Sequence, residues 1–401
     1  MIFNSSKYNS HWQDKKLLEL GTFRRGKSRH RPRNDPKLFE DGSYPLVQTG
    51  EVKAADLYIR THDTCYNDFG LAQSAIWPKN TLCITIAANI AETALLGYPM
   101  CFPDSVVGFN AYPDESSELF MHYVFTYIRK AIQNSASGSI QDNINIDYLT
   151  GLKFKIPLKD YQDKIVRVLS VIDKKIELNN RINSELEAMA KTLYDYWFVQ
   201  FDFPDANGKP YKTSGGKMIY DLVLKQEIPE SWHACELKRL IDMEYGKSLK
   251  ADNRTGYGYP VFGSSGIVGF HDNYLVEGPG IVIGRKGTIG KVNYVFDNFY
   301  PIDTTYYVRS KNKTSMIFLN FLLRYLGMEK MNSDSAVPGL SREAALNLSV
   351  VNIPLELINK FHDYVSVWFK KKQLICEENS KLIELRNWLL PMLMNGQVTV
   401  K

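Results

Sequence analysis

The sequence predicts an α+β protein in which two similar domains are separated by two long antiparallel helices that pair as a coiled-coil spacer. Two observations predict this fold class. A motif that begins at Trp12 returns at Trp232, at a constant offset of 220 residues. A long stretch with helical periodicity then follows each copy of the surrounding domain. We therefore expect an internal repeat with pseudo-twofold symmetry.

The repeated motif is Trp-x4-Leu-x2-Leu-x5-Gly-Lys-Ser in both copies, and six of its 17 positions are identical. Average composition would give about one identity over that length. Further landmarks return in the same order, Tyr44-Pro45 as Tyr259-Pro260 and Ile156-Pro157-Leu158 as Ile353-Pro354-Leu355. Chance matching between two helices rich in Leu and Lys is the alternative. Several landmarks in one order favour duplication.

These landmarks define the predicted domains. The first domain takes residues 1–160, where short β-type runs and turn residues predict an irregular sheet. A central helix is predicted over 161–200. Residues 201–230 contain three prolines and three glycines, which predicts a surface linker. The second domain takes 231–354, and the C-terminal helix and tail take 355–401.

The two helical stretches are expected to pair with each other. Apolar residues of the first recur at 165, 169, 172 and 176, then at 182, 186, 189 and 193. The second has them at 361, 365, 368, 375, 382, 389 and 393, with Lys372, Asn379 and Arg386 at intervening positions. Packing of each helix on its own domain is the alternative. Polar seam residues favour pairing because they fix the register of a coiled coil.

The composition is that of an ordinary globular protein, with 44% hydrophobic and 23% charged residues. The five cysteines contain no Cys-x-x-Cys pair, which favours a reducing cytoplasm and argues against a zinc site or a disulfide framework. The first residues contain no apolar run, so we expect no signal peptide. The apolar stretch 82–100 is interrupted by Asn89 and Glu92, so we expect strands around a loop there and no membrane association.

A net charge of +5 permits nucleic-acid binding without requiring it. The cations are concentrated near the start of the chain, at Arg24, Arg25, Lys27, Arg29, Arg31 and Arg33. Pro32 and Pro36 exclude a regular helix there, so we expect an extended loop suited to phosphate contacts. An ordinary solvated face is the alternative.

Residues 21–28 match the nucleotide-binding pattern Gly-x4-Gly-Lys-Ser. A P-loop requires a helix directly after this pattern, and the proline-containing segment 29–36 cannot start one. The second copy also has Ile241 in place of the first glycine. We therefore expect a turn that presents a cation and a hydroxyl to phosphates, and an ATPase is the weaker alternative.

The glycine-rich segment 284–290 predicts a tight loop between two strands, with Arg285 and Lys286 at its tip. Arginine suits bidentate contact with guanine or phosphate, although a solvated hairpin is the alternative. Ser264, Ser265 and Arg254 belong to neighbouring loops. No methyltransferase Asn/Asp-Pro-Pro-Tyr/Phe motif, helicase acidic box or metal-binding histidine spacing is found in the sequence. These patterns favour a binding protein over an enzyme.

The whole chain resembles the specificity subunits of Type I restriction-modification systems. The resemblance is carried by the motif at 232–248, the linker text Gly208-Lys-Pro-Tyr-Lys-Thr-Ser-Gly-Gly216, the two Ile-Pro-Leu joints and the ending Leu389-Leu-Pro-Met-Leu-Met-Asn-Gly396. It implies a non-catalytic subunit with two target-recognition domains, each reading one half of a split double-stranded DNA target. The spacer helices would set the unread gap. The chain itself would need no cofactor.

The resemblance also implies partners. Two methyltransferase subunits would dock on the chain and bring S-adenosylmethionine for adenine-N6 methylation. Restriction subunits would join through the complex and bring ATP and Mg for translocation and cleavage. A self-sufficient two-domain DNA-binding regulator, which would bind one site without a partner, is the main alternative.

Under this resemblance, four residues of the repeated tripeptide are expected to position the DNA backbone, namely Lys27, Ser28, Lys247 and Ser248. Candidates for base or groove contact in the second domain are Arg285, Lys286, Ser264 and Ser265, with Arg254 beside them. Candidates in the first domain are Arg24, Arg25, Arg29, Arg31, Gln48, Thr49, Gln141 and Asn143. Arg33 completes a basic stretch that would contact phosphate or another subunit. The two domains share little beyond landmarks, so an asymmetric bipartite target is expected.

Overall fold

The computed structural model describes residues 12–87, 89–137, 146–331 and 339–400. The chain forms two compact units. Unit 1 comprises Met1–Asn180 with Glu378–Lys401, and unit 2 comprises Arg181–Glu377. Both borders fall inside long helices, so each unit combines one mixed domain with one end of the helix pair.

Unit 1 alternates short strands with short helices before its long helices begin. Its strands are β1 (Trp12–Lys16), β2 (Gly21–Arg25), β3 (Tyr44–Leu46), β4 (Tyr58–Ile59), β5 (Thr64–Tyr66), β6 (Ile76–Trp77), β7 (Leu82–Thr85), β8 (Thr93–Leu96), β9 (Met100–Cys101), β10 (Val106–Ala111) and β11 (Lys153–Pro157). Its helices are α1 (Leu17–Leu20), α2 (Thr49–Ala54), α3 (Asp68–Ala72), α4 (Glu118–Ser137) and α5 (Ile146–Gly151), followed by the start of α6 (Lys159–Tyr194).

The main sheet of unit 1 has the strand order β2-β10-β7-β8-β4, and a second sheet has the order β5-β3-β9-β6. Strand β1 pairs antiparallel with β11, which closes the domain next to the start of α6. The apolar stretch 82–100 forms β7, β8 and the start of β9, as expected from its interruptions. Helix α4 packs on the main sheet and buries Phe120, Phe125 and Ile132 in the core.

Unit 2 repeats this plan with longer strands in its second sheet. Its strands are β12 (Met218–Asp221), β13 (Gln226–Pro229), β14 (His233–Glu236), β15 (Ile241–Tyr245), β16 (Tyr259–Gly263), β17 (Gly266–His271), β18 (Gly280–Gly284), β19 (Val292–Val295), β20 (Tyr300–Pro301), β21 (Thr305–Ser310) and β22 (Ser349–Asn352). Its helices are α7 (Met316–Tyr325), α8 (Arg342–Leu346) and most of α9 (Leu355–Met394).

The sheets of unit 2 have the strand order of those of unit 1, except that each unit 1 sheet carries one further edge strand, β4 or β6. The main sheet is β15-β21-β18-β19, the second is β17-β16-β20, and β14 pairs antiparallel with β22. The parallel contact of β3 with β9 returns as the parallel contact of β16 with β20. The predicted duplication and the α+β fold class are therefore confirmed.

The predicted central helix spans Lys159–Tyr194 and continues into a π-helical turn at Asp195–Val199. In unit 1, Ile165 and Leu169 of α6 lie in one core cluster with Leu390 and Leu393 of α9. In unit 2, the end of α6 packs in the same way against the start of α9. In α6 the expected seam shifts by one residue to bury Ala190 in place of Met189, which is 49% exposed. In α9 it shifts likewise, since Phe369 and Leu390 are buried while the predicted Trp368 and Leu389 are half-buried.

The segment predicted as a surface linker has more structure than its composition suggests. Strands β12 and β13 form a hairpin, and Phe201 and Phe203 are buried in unit 2. Phe203 stacks on Trp232 with ring centroids 4.8 Å apart. Glycine and proline therefore mark turns here while the aromatic residues fill the core. Among the described residues, no helix has both the length and the apolar character needed to cross a membrane.

Candidate DNA interface

The repeated Gly-Lys-Ser tripeptide forms a turn directly after the edge strand of each main sheet. In unit 2, β15 ends at Tyr245 and the amide of Gly246 donates to the carbonyl of Thr305. A Cβ on Gly246 would lie 2.2 Å from the carbonyl oxygen of Ile302, so only glycine fits against this backbone. The turn then presents Lys247 and Ser248, which are both exposed.

Residues 301–304, which we call the bracing loop of unit 2, gather further turns around this tripeptide. The amide of Ile302 donates to the carbonyl of Phe262, which ties down the turn at Ser264 and Ser265. The amides of Arg285 and Lys286 both donate to the carbonyl of Thr304, at 2.9 and 3.2 Å. The bracing loop thus brings the Gly-Lys-Ser turn, the serine turn and the 284–290 loop to one face.

The 284–290 loop is held in shape by its glycines. Gly287 and Gly290 have φ values of +80° and +70°, a region that favours glycine. A Cβ on Gly287 would lie 3.3 Å from the hydroxyl of Ser264, so the two turns lie in contact. Lys291 adds a link, since its ammonium donates to the carbonyl of Ser265 at 2.7 Å.

Arg285 is held in place by two aromatic rings and a carbonyl. Its guanidinium carbon lies 4.8 Å from the ring centroid of Tyr245 and 5.9 Å from that of Tyr306. One of its Nη atoms donates to the carbonyl of Asp303 at 3.1 Å. Burial and a hydrogen bond with Tyr245 raise the pKa of Tyr306, so its phenol stays protonated and donates to the carbonyl of Leu340. The guanidinium also bonds to the hydroxyl of Tyr306. It is therefore held over aromatic faces, and within the described part of the chain three of its five N–H groups have no partner.

Arg285 and Lys286 line an open cleft of about 1000 Å³ in unit 2. Arg342 also lines it, but its guanidinium is already bonded to Asp242 at 2.6 Å. Lys286 is exposed, and no ion pair or hydrogen bond within the described ranges engages its side chain. The cleft is consequently positive and partly aromatic, a combination that suits contact with both phosphates and base edges.

Arg254 has a different role from that of the other predicted contacts. Its two Nη atoms donate to the carbonyls of Val268 and Leu249, at 2.8 and 3.3 Å. The guanidinium therefore joins β17 to the loop after the Gly-Lys-Ser turn. A direct DNA contact by Arg254 stays a prediction, and the structure gives it a bracing role.

Unit 1 assembles equivalent turns around its own bracing loop, residues 102–105. The amide of Gly26 donates to Val106, and a Cβ there would lie 2.3 Å from the carbonyl oxygen of Pro103. Gln48 and Thr49 follow β3, just as Ser264 and Ser265 follow β16. Lys27 is exposed as Lys247 is, whereas Ser28 is only 6% exposed and so offers little surface to a ligand.

The two units differ at the loop after the third strand of the main sheet. In unit 2 this loop carries Arg285, Lys286 and Lys291. The corresponding unit 1 loop, which follows β7, has the sequence Ile86-Ala-Ala-Asn-Ile-Ala-Glu92. Its Asn89 accepts a hydrogen bond from Lys53 at 3.1 Å. The same scaffold therefore presents cations in one unit and mainly apolar and amide groups in the other.

The basic stretch of unit 1 is only partly free for a ligand. Arg33 bonds to Asp104 of the bracing loop at 2.9 Å, and Arg31 approaches the same carboxylate at 3.6 Å while bonding to the carbonyl of Ser28. Arg25 donates to the carbonyl of Asp104. The cations thus fold the stretch onto the bracing loop.

Arg24, Lys27 and Arg29 remain exposed on unit 1. The guanidinium of Arg24 lies 5.3 Å from the centroid of the Trp77 ring, which parallels the aromatic support of Arg285. Gln141 and Asn143 lie outside the described residues. The supporting groups Trp77, Tyr245 and Tyr306 were not predicted, although an aromatic residue directly before the second Gly-Lys-Ser was a usable signal.

The P-loop alternative conflicts with this geometry. The residues that would cradle a phosphate are strand β2, Gly21–Arg25, whose partner along its whole length is β10. After Ser28 the chain is irregular up to a single 3-10 turn at Pro36–Leu38. Without a helix N-terminus at the tripeptide, the amides cannot converge on a nucleotide phosphate. The nucleotide-hydrolysis alternative is wrong for this turn.

A protein-family model for the Type I restriction modification DNA specificity domain matches residues 9–188 and 229–355. The chain belongs to this family. The matched segments are the two duplicated domains with most of the central helix, so the family accounts for both copies of the interface. Its members are non-catalytic subunits that give a restriction-modification complex its DNA sequence specificity, and that is the role of this specificity subunit.

Full-length relatives agree with the family match. The chain is 23% identical to the Type I restriction enzyme MjaIX specificity subunit of Methanocaldococcus jannaschii, over 97% of this chain and 94% of that one. It is 25% identical to the HindI specificity subunit of Haemophilus influenzae, over 67% and 74%. The fold resembles that of a Type I S subunit from M. genitalium, with a TM-score of 0.56, 20% identity and coverage of 96% and 98%.

Proposed function

We propose that this specificity subunit reads an asymmetric bipartite DNA target, with one half-site contacted by the loop face of unit 1 and the other by the loop face of unit 2. This proposal rests on one observation. The Gly-Lys-Ser turn occurs in both units, but the loops next to it differ between them. Lys27 and Lys247 occupy the same place in the two units, whereas the loop after the third strand is basic only in unit 2. A shared cation suits phosphate contact, and unlike loops suit unlike base pairs.

In this proposal Lys27, Lys247 and Ser248 position the DNA backbone, and the buried Ser28 makes no contact. Arg285, Lys286, Ser264 and Ser265 contact the groove in unit 2, and Arg24, Arg29, Gln48 and Thr49 do so in unit 1. Phosphate contacts give salt-dependent affinity without sequence preference, while base contacts supply discrimination. The basic stretch that includes Arg31 and Arg33 holds its bracing loop and adds positive potential.

The proposal extends to the assembly. Two methyltransferase subunits dock on the chain and carry S-adenosylmethionine, and each receives an adenine from one half-site. An adenine must leave the base stack to be methylated, so a subunit that fixes two sites on one duplex positions both catalysts. Restriction subunits, ATP and Mg join through the complex. These roles place the protein with DNA in the cytoplasm.

The test is to co-express the chain with its methyltransferase subunit and map methylated adenines across the host genome by single-molecule sequencing. We expect a split motif with methylation in both halves. The double variant Arg285→Ala with Lys286→Ala should reduce base specificity in one half of the motif only. The double variant Arg24→Ala with Arg29→Ala should reduce it in the other half only. Lys313→Ala, on an exposed loop of unit 2, serves as the control. Methylation independent of this chain, or variants that alter both halves alike, would contradict the proposal.

A further inference from the structure

The helix pair carries polar side chains at positions where a seam is usually apolar. Three polar residues of α9 lie seven positions apart, and each bonds to one of three polar residues of α6 that also lie seven positions apart. Because the helices are antiparallel, the pairs are Arg386 with Asp173, Asn379 with Asn180, and Lys372 with Glu187. Seven residues are two turns of a coiled-coil helix. The three pairs therefore belong to one antiparallel register.

In unit 1 one member of each pair is buried, Asp173 and Asn379, and its partner is half-buried. Asp173 accepts from Arg386 at 2.9 Å and from the hydroxyl of Tyr123 at 2.5 Å, and it is 7% exposed. Asn379 donates to Asn180 and accepts from Asn179, both at 2.8 Å. Tyr123 belongs to α4, so the acidic group also links the helix pair to the domain core.

Unit 2 has a matching arrangement. Glu187 accepts from Lys372 of α9 and from Arg324 of α7. Burial raises the pKa of Glu187, but the hydrogen bonds from Lys372 and then Arg324 outweigh burial and hold the pKa below its ordinary value. The side chain of Asn183 donates to the sulfur of Cys376 at 3.6 Å, and this contact has the same register as the three polar pairs.

A slip by one heptad would break these pairs while leaving many apolar contacts possible. In one direction Asn379 would face Asp173, and Arg386 would face the apolar Val166. In the other direction Asn379 would face Glu187, and Lys372 would face the ring of Tyr194. Either slip leaves buried charges without a partner of opposite sign, which is strongly unfavourable. Leucine at the same positions would impose no such penalty.

We propose that Asp173–Arg386, Asn180–Asn379 and Glu187–Lys372 are positioning pairs that select a single register of the two helices and exclude slipped registers. Given the proposed bipartite function, the selected register also sets a single gap between half-sites. A one-heptad slip moves the helices by about 10 Å along each other, at 1.5 Å per residue. That displacement corresponds to about three base-pair steps of B-DNA.

Cross-linking to the native Cys376 tests the register directly. Asn183→Cys reports the observed register, whereas Ile176→Cys and Ala190→Cys report slips by one heptad in either direction. Oxidised glutathione serves as the two-electron oxidant that converts the two thiols into a disulfide, and peptide mass spectrometry identifies the bond. Each cysteine variant is made in two backgrounds. One is the native sequence, called the native seam, and in the other, called the leucine seam, both residues of all three polar pairs are replaced by leucine. Apolar replacement of buried pairs is usually tolerated, and a thermal melt checks folding.

We expect the native seam to cross-link only through Asn183→Cys, and the leucine seam to gain cross-links through Ile176→Cys or Ala190→Cys. A folded leucine seam that still cross-links only through Asn183→Cys would overturn the proposal. The methylated motif supplies an independent readout, in which the leucine seam should yield more than one gap length. If the leucine seam forms the slipped cross-links but still methylates a motif with one gap length, the register does not set the gap. If the native chain yields no split motif at all, the proposed function is refuted instead.

Discussion

Arg285 offers the sharpest test of base readout, because the structure supports its guanidinium without using most of its donors. Tyr245 and Tyr306 lie 4.8 and 5.9 Å from the guanidinium carbon, and among the described residues the guanidinium bonds to the carbonyl of Asp303 and to the hydroxyl of Tyr306. A bidentate arginine contact with a base is worth about 1–3 kcal/mol of discrimination. Arg285→Lys keeps the charge but loses the fork, so the preference for the cognate half-site should fall by about 5- to 150-fold.

The aromatic support makes a smaller, separate contribution. Tyr245→Leu leaves Arg285 in place but removes the nearer ring, and a cation–π contact at a partly exposed site is worth about 0.5–1 kcal/mol. Discrimination should therefore fall by about two- to fivefold. The same ring also touches Tyr306, at a centroid distance of 5.1 Å, so a thermal melt must accompany this variant.

The assay is competition binding of the assembled complex to duplexes that differ by one base pair in the half-site assigned to unit 2, at two salt concentrations. Lys247→Ala is the matched control, since loss of its proposed phosphate contact should weaken all duplexes alike and reduce the salt slope by about one contact. An Arg285→Lys protein with unchanged discrimination would refute base readout. If Arg285→Lys changes the affinity for all duplexes by the same factor, Arg285 contacts phosphate and not a base.

Three further predictions concern stability and phosphate contact. Burial lowers the pKa of His122 to about 3, so unit 1 should be fully stable above pH 6.5 and lose stability as the pH falls towards 3, at up to about 1.4 kcal/mol per pH unit. Urea titrations at several pH values should show a weaker dependence for His122→Asn. Arg386→Leu strands the carboxylate of Asp173, whose side chain is 6% exposed, and should cost about 3–5 kcal/mol in the same titrations. Lys27→Ala should reduce the salt slope of DNA binding by about 0.9, whereas Arg33→Ala should reduce it less because its guanidinium already pairs with a carboxylate.

The duplication and its architecture could be predicted because the repeated residues have strong physical reasons to recur. Trp12, Leu17 and Leu20 are buried, and their counterparts in unit 2 are buried too. Because the apolar pattern occurs twice, the sequence indicates two separate hydrophobic cores. The helix seam was predictable for the same reason, and its error at Met189 reflects a phase shift that a fixed step of three or four cannot locate.

Side-chain pairing was harder to predict than backbone structure. Arg31 and Arg33 looked free in the sequence, yet both approach Asp104, which is more than 70 residues away along the chain. Trp197 and Phe198, at the end of the central helix, are 5% exposed in the core of unit 2, whereas Trp388 of the C-terminal helix is 58% exposed. Local composition gives charge and apolarity, whereas pairing depends on which distant loop the fold brings close.

The residues shared by the two copies separate scaffold from recognition. Gly26 and Gly246 are shared because a Cβ would meet a carbonyl oxygen of the bracing loop, at 2.3 and 2.2 Å. The shared tryptophan and leucines are shared because they fill the core. Lys27 and Lys247 have no such constraint, since both are exposed. A cation that both copies share and expose suits contact with the phosphates, which are the same in every DNA sequence. The bases must therefore be recognised by residues that the two copies do not share.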